Sequence, residues 1–201
     1  MLKFFLMPKH NQQGFSLIET LIAMAISSLI CIAATAVFPG LFKKIHQSYI
    51  QYQIDREVRQ VLISMEKDFR RIGYCGSLSC EGEALKIDAK FLSRYPNSCI
   101  IFAYDQNLSG TWRPVKLKNK ETDFFGYRLN DKKLESNRNV MNCDGNRWQS
   151  LFDPLMVKVK ELRFTWHEPQ AVLEMSLSVE TPHLVNQRFS YQTSVLLRNL
   201  Q

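Results

Sequence analysis

One carboxylate in an otherwise apolar run constrains this chain more than any other feature. From Phe15 to Phe42 the ionisable side chains are Glu19 and the thiol of Cys31. As a helix that run reaches about 40 Å, which exceeds the roughly 30 Å hydrocarbon core of a bilayer. A membrane-spanning helix is therefore feasible. A charged carboxylate near its start is disfavoured in hydrocarbon by roughly 3 kcal/mol unless a partner offsets it. Cations precede the run at Lys3, Lys9 and His10 and follow it at Lys43 and Lys44, and the leader before Gly14 holds no acid.

Three ordinary readings compete. A secretory signal peptide fits poorly, because the apolar run is too long and no small-x-small cleavage site appears before Pro39-Gly40. A plain anchor fits the length and leaves Glu19 unexplained. Ser16-x-x-Glu19 also matches a capping box, in which each side chain satisfies a free amide at a helix start.

Gly14-Phe15-Ser16-Leu17-Ile18-Glu19 followed by an apolar stretch resembles the class III signal of type IV prepilins and type II secretion pseudopilins. The resemblance implies cleavage after Gly14 by a membrane peptidase and N-methylation of the new terminus at Phe15. It implies that Glu19 then faces the α-amino group of a neighbouring subunit. The physics agrees: a carboxylate among apolar helices needs a cation, and a new amine on an adjacent helix supplies one. Leaders of this class are short and hydrophilic, so Met1 and Met7 both stand as candidate starts.

The 201 residues allow one globular domain beyond the anchor. The expected division is a leader at 1–14, a transmembrane and assembly helix at 15–42, and a periplasmic domain at 43–201. That domain splits into an amphipathic helix at 43–73 and a region of loops and sheet at 74–201. Two lysines and no acid leave with the leader, so the formal charge of +7 falls to +5. Such a balance is compatible with anionic partners and establishes none.

Of five cysteines, Cys31 lies within the apolar helix and reads as a small buried hydrophobe. Cys75, Cys80, Cys99 and Cys143 suggest two disulfides in an exported domain, with three connectivities open. Cys75–Cys80 with Cys99–Cys143 is preferred, a short loop at the helix end plus a long-range staple. Zinc is the rival, and Cys75 and Cys80 have ligand spacing, but no second close Cys/His pair accompanies them.

Pro39-Gly40 is expected to bend or loosen the helix. The helical pattern then resumes, with Ile50, Ile54, Val58, Val61, Leu62, Met65, Phe69 and Ile72 forming one apolar stripe and Gly73 a stop. A continuous helix from Phe15 to Ile72 would span about 87 Å. Strand candidates follow at 85–88, 99–104, 115–117, 124–129 and 133–135. Longer ones lie at 157–166, with a bulge near Glu161, at 173–179 and at 189–197. The turn residues His167-Glu168-Pro169-Gln170 separate two of them. The expected fold is α+β and pilin-like, with one mostly antiparallel sheet facing the helix stripe.

Arg71-Ile72-Gly73-Tyr74-Cys75, Ala103 to Trp112, and Phe125-Gly126-Tyr127-Arg128-Leu129 narrow the resemblance. Together they are similar to PilW-type minor pilins, and most of all to the prepilin peptidase-dependent protein B group. That resemblance implies a low-abundance subunit that starts a type IV pilus and sits at or near its tip. The partners implied are the prepilin peptidase, sibling minor pilins and the major pilin, met through the N-terminal helix. The location implied is the inner membrane, with a periplasmic C-terminal domain, and then the pilus surface. A minor pseudopilin of type II secretion is the alternative.

Asp105-x-Asn107-x-Ser109-Gly110 echoes the front half of a calcium loop, but Lys116 stands where a bidentate glutamate would be needed. Zinc having been set aside, no cofactor is expected, and calcium is the one candidate kept beside that expectation. Lys116 and Lys118, with Lys158 and Lys160, are candidates for phosphate contacts near Tyr127 or Trp148, giving a DNA-binding tip pilin as a further alternative. Isolated histidines, no serine elbow, no phosphate loop and no paired carboxylates point away from an enzyme.

Overall fold

In the computed structural model the described residues are 14–77, 80–87, 95–112, 122–184 and 187–200. The chain divides into two compact units, 1–48 and 49–201. The first unit is helical from Leu17 and belongs to helix α1, assigned over Leu17–Phe69. The helix assignment runs through Pro39 and Gly40 without a break, where a local loosening is expected from sequence. Every side chain from Gly14 to Tyr49 is exposed in the single chain. The hydroxyls of this stretch bond back to their own helix. Ser27 Oγ donates to the Ala23 carbonyl at 2.7 Å and Thr35 Oγ1 to the Ile32 carbonyl at 2.9 Å. Such bonds let polar side chains sit among apolar neighbours without an unmet donor.

In the second unit the apolar stripe turns inward. Ile50, Ile54, Val58, Leu62, Met65, Phe69 and Ile72 are buried, and Val61 is half-buried. The strands are β1 (Leu85–Ile87), β2 (Cys99–Ala103), β3 (Phe124–Asn130), β4 (Lys133–Arg138), β5 (Gln149–Ser150), β6 (Lys158–His167), β7 (Val172–Glu180) and β8 (Arg188–Leu196). All pairs are antiparallel. They form two sheets, β1-β2-β3-β4-β5 and β6-β7-β8, in place of the one sheet expected. The division follows from what meets the outer edge of β6. Its Phe164 amide donates to the Asn97 carbonyl at 2.9 Å and its Val159 amide to the Lys132 carbonyl at 2.8 Å, both acceptors lying outside strands. The bulge falls between Val159 and Glu161, near where the alternation slips. The two-residue β5 has no periodicity that a sequence reading could detect, and the 115–117 candidate lies outside the described residues.

Phe69 joins the three layers. Its ring meets Phe102 at 5.7 Å and Tyr127 at 5.8 Å in the first sheet, and Phe164 at 6.0 Å in the second, all edge-on. Two hydrogen bonds flank it. Tyr127 Oη donates to Asp68 Oδ2 at 2.6 Å, and Thr193 Oγ1 donates to Glu66 Oε1 at 2.5 Å. Burial, and after it the Asp68 carboxylate, push the Tyr127 phenol well above its ordinary value. Past the helix, Gly73 adopts φ +80°, and its amide donates to the Ala103 carbonyl at 2.9 Å. A Cβ there would come within 2.6 Å of Leu200 Cδ2. Asn199 Nδ2 donates to the Ile72 carbonyl at 3.1 Å, so the C-terminal segment caps the end of the helical region.

Phe69→Ala should therefore lower the stability of the full chain in detergent by about 4 kcal/mol in urea unfolding. Ile63→Ala, on the exposed side of the same helix, should change it by less than about 0.5 kcal/mol.

Candidate assembly site

Gly14, Phe15 and Ser16 lie ahead of the helix start, and Phe15 is 88 % exposed. The Gly14–Phe15 bond is thus open to approach. Glu19 occupies the first turn of α1, where a carboxylate is favoured by the positive end of the helix dipole. The capping box forms. Ser16 N–H donates to Glu19 Oε2 at 2.9 Å, and Glu19 N–H donates to Ser16 Oγ at 3.3 Å. In the single chain Glu19 is therefore not bare: one oxygen accepts an amide hydrogen. Its charge remains without a cation, because no ion pair to it forms among the described residues. The arrangement can accept an ammonium group that replaces or joins the Ser16 amide.

The four later cysteines form Cys75–Cys80 and Cys99–Cys143, with Cα separations of 5.8 and 6.2 Å. Cys31 is free and, where burial is expected from sequence, exposed in the single chain, because no other segment packs on this part of the apolar helix among the described residues. Cys99 and Cys143 lie in a second small core with Ile101 and Val140. Beside it sits a cluster that sequence reasoning missed. Arg128, 6 % exposed, donates from Nε to Glu135 Oε2 at 2.8 Å and from an η nitrogen to the Cys143 carbonyl at 2.7 Å. The Trp148 ring covers the guanidinium at 4.3 Å. Arg128 and Glu135 face each other across β3 and β4, so alternation along the two strands was the signal available. A Cβ on Gly126 would meet Trp148 at 3.0 Å and Ile101 at 2.6 Å, so this glycine leaves room for the lid.

The Asp105 carboxylate is engaged by donors of its own chain. It is 2 % exposed and accepts the amides of Gly110 at 2.8 Å, Ser109 at 3.0 Å and Gly76 at 3.1 Å, with the Ser109 hydroxyl at 3.3 Å. Asn107 and Ser109 are exposed. Burial works to raise the Asp105 pKa, but the Gly110, Ser109 and Gly76 amides together outweigh it and hold the group below its ordinary 3.8. Asp105 thus ties its own loop to the segment closed by Cys75–Cys80. Ser77 Oγ donates to the Gly110 carbonyl at 2.9 Å and Trp112 Nε1 to the Tyr74 carbonyl at 3.1 Å, fastening the same two segments. Among the described residues no group of three or more His, Cys, Asp or Glu side chains is placed to hold a metal ion.

Lys116 and Lys118 lie outside the described residues. Lys158 and Lys160 are half-buried on β6, and Lys160 Nζ pairs with Glu180 Oε1 at 2.8 Å. The same strands carry Glu161 and Glu174, which pair with Arg163 and His167. This face is mixed in charge, unlike the basic face expected from spacing. Tyr127 is buried with its hydroxyl committed to Asp68, and Trp148 covers Arg128. The buried Tyr127 ring is closed to a base, and one face of the half-buried Trp148 ring is taken by Arg128.

Comparison with known proteins places this geometry. The model of the prepilin peptidase-dependent protein B family matches residues 47–197. The chain belongs to the prepilin peptidase-dependent protein B family. The matched span contains both disulfides, the Asp105 loop and all eight strands. The prokaryotic N-terminal methylation motif matches residues 9–35, covering Gly14 to Glu19 and much of the apolar helix. Prepilin peptidase-dependent protein B of Escherichia coli (strain K12) is 34 % identical over 146 residues, covering 72 % of each chain. A protein of Haemophilus influenzae described as uncharacterized is 23 % identical over 195 residues, covering 74 % of this chain and 79 % of its own. No solved structure matches. Family, motif and the apolar helix together make this a pilin-like protein with a membrane-anchoring helix.

Asp105→Asn should cost about 2 kcal/mol, since the new amide hydrogens oppose the backbone donors. The folded pKa lies below the ordinary value. The wild-type advantage is therefore full above about pH 4 and shrinks as pH falls through the lowered pKa. Urea unfolding of both chains in detergent between neutral and strongly acidic pH measures it. A gap that stays constant down to the acid end contradicts the assignment.

Proposed function

We propose that this chain is a minor type IV pilin of the PilW type that initiates pilus assembly and sits at or near the pilus tip. The observation that carries the reading is the placement of Gly14, Phe15 and Glu19. An accessible cleavage bond precedes a helix start whose one carboxylate lacks a cation. Cutting after Gly14 creates an ammonium at Phe15. On a neighbouring subunit that ammonium meets the requirement of Glu19, and a misplaced subunit leaves a charge unpaired in hydrocarbon. The exposure of the whole apolar stretch from Leu17 to Ile45 supports a helix whose partners are lipid and other helices. Two disulfides in the second unit support export to an oxidising compartment, here the periplasm. Interaction with the prepilin peptidase, sibling minor pilins and the major pilin follows from the same placement. Neither the Asp105 loop nor the Lys158–Lys160 face adds a calcium or DNA function to this reading.

Glu19 variants separate pairing from capping. Glu19→Ala removes both roles, whereas Ser16→Ala removes one capping bond and costs about 1 kcal/mol at the helix start. Both chains should be cleaved after Gly14. Glu19→Ala should reduce surface pili in a strain lacking the wild-type gene by at least about tenfold, as expected for an unpaired-charge penalty above 1.4 kcal/mol. Ser16→Ala should stay near wild type. Equal loss in the two variants would mean that Glu19 is only a cap. Deleting the gene should abolish or sharply reduce pili and leave exoprotein release intact. Loss of secretion with normal pili would assign the chain to type II secretion instead.

A further inference from the structure

Among the described residues the second unit leaves one long sheet edge open. In the five-stranded sheet the edges β1 and β5 are three and two residues long, too short to template another strand. In the three-stranded sheet the outer side of β6 is engaged by the Asn97 and Lys132 carbonyls. The other edge is β8, nine residues long and in continuous register with β7. The direction of its backbone groups follows from one bond. Leu197 N–H donates to the Ala171 carbonyl at 2.8 Å, so Val195, Thr193, Tyr191 and Phe189 turn their amides and carbonyls towards β7. Those of Leu196, Ser194, Gln192, Ser190 and Arg188 turn away from the sheet. No backbone partner meets them among the described residues. The same five residues are exposed, and Leu196 is 42 % so.

Natural edge strands are blunted by proline, bulges, brevity or inward charges. β8 has no proline, no register shift and a single charged residue, Arg188. Its surroundings are mixed in charge along its length, with Glu174 and Glu180 opposite Ser194 and Arg188 on β7, and arginines gather at its far end. A cleft of about 410 Å³ at its far end is lined by Arg70, Ser194, Val195, Leu196 and Arg198. Arg188 and Arg198 are exposed and make no ion pair among the described residues. Arg70 is 70 % exposed and lies 3.9 Å from Glu66. This charge pattern also selects the occupant. Antiparallel pairing of β8 with a second copy of itself, centred on Gln192, would bring the Arg188 end of one chain against the Arg198 end of the other. Like charges opposed across strands are destabilising. An acidic strand meets the same arginines favourably.

The geometry points to a strand-addition site: the outer edge of β8 takes an extended acidic segment of a different polypeptide, hydrogen-bonded to Ser190, Gln192 and Ser194 and held at its end by Arg70 and Arg198. Main-chain bonds supply the affinity of such sites and flanking side chains the selectivity. The site lies in the second unit, apart from Glu19, and its existence does not depend on filament initiation. Failure of one leaves the other standing.

The test uses the full processed chain in detergent and a fluorescein-labelled peptide matched to the nine residues of β8. The peptide has alternating valine and threonine in its middle and two glutamates at each end. Saturable binding is expected, with the amides of Ser190, Gln192 and Ser194 exchanging at least about tenfold more slowly in the complex. Ser194→Pro removes an outward amide that β7 does not use, so the fold should persist, and binding should weaken at least about tenfold. Arg70→Glu with Arg198→Glu, two exposed changes, should weaken it about as much, as should a peptide ending in lysines. These charge variants carry the test if the proline chain does not fold. Equal binding by the folded Ser194→Pro chain overturns the proposal, as does saturation without protection of the three amides. A chain that dimerises without peptide, and does so less after Ser194→Pro, shows that its own second copy is the occupant and also overturns it.

Discussion

Phe69 is the contact on which the second unit depends. One ring meets aromatic partners from both sheets at 5.7 to 6.0 Å, always edge-on. Edge-to-face contacts of this kind add about 1 kcal/mol each beyond area burial. Among the described residues the two sheets share no ladder; two backbone bonds bridge them, from Val159 to Lys132 and from Phe164 to Asn97, and the helix packs on both. Asp68 and Glu66 reinforce the same point from either side, one bonded to each sheet. The helix end is then closed by Gly73 and by Asn199 from the other end of the chain. The last buried turn of α1 thus ties together residues from the helix, both sheets and the C-terminal segment.

The same helix has a different solvent along its first stretch. From Leu17 to Ile45 its large apolar side chains are exposed in the single chain, whereas the stripe from Ile50 onward is buried. A soluble monomer would not leave a surface of that length uncovered. The hydroxyls of Thr20, Ser27, Ser28 and Thr35 are satisfied within the helix itself. What remains is one carboxylate. The capping bond with Ser16 meets part of its hydrogen-bonding capacity and none of its charge, so the Glu19 requirement is narrower than the bare sequence suggested. Among the described residues no cation pairs with it, and a donor is already in place.

Much of this was legible because it rests on period and identity. The stripe at three- and four-residue spacing, the glycine stop at Gly73 and the bulge near Glu161 each leave a local trace. The partition into two sheets left none. It depends on which groups meet the outer edge of β6, namely carbonyls at Asn97 and Lys132, far from it in sequence. The Asp105 loop was ambiguous in sequence for a related reason. Alternating oxygen-bearing residues suit a cation and suit amide donors equally well, and the amides of Gly76 and Gly110, one of them distant in sequence, donate to the carboxylate. Arg128 could not be read as buried from its strand alone, since its burial needs Glu135, the Cys143 carbonyl and the Trp148 ring at once.

Glu19 and β8 are unmet requirements of two different physical kinds. A charge without a cation tolerates many geometries and is satisfied by any well-placed ammonium, so it tests position along a helix bundle. A row of outward amides and carbonyls is satisfied only by an extended backbone in register, so it tests conformation as well. A subunit that repeats identically along a filament needs complementary surfaces on its own copies. The arginines at the two ends of β8 work against that, because antiparallel pairing with its own copy brings those ends together. A surface that rejects its own copy and suits an unlike, acidic strand belongs to a subunit used once or a few times at a defined place. That is the physical sense in which the proposed minor, initiating role and the open edge support each other while resting on separate observations.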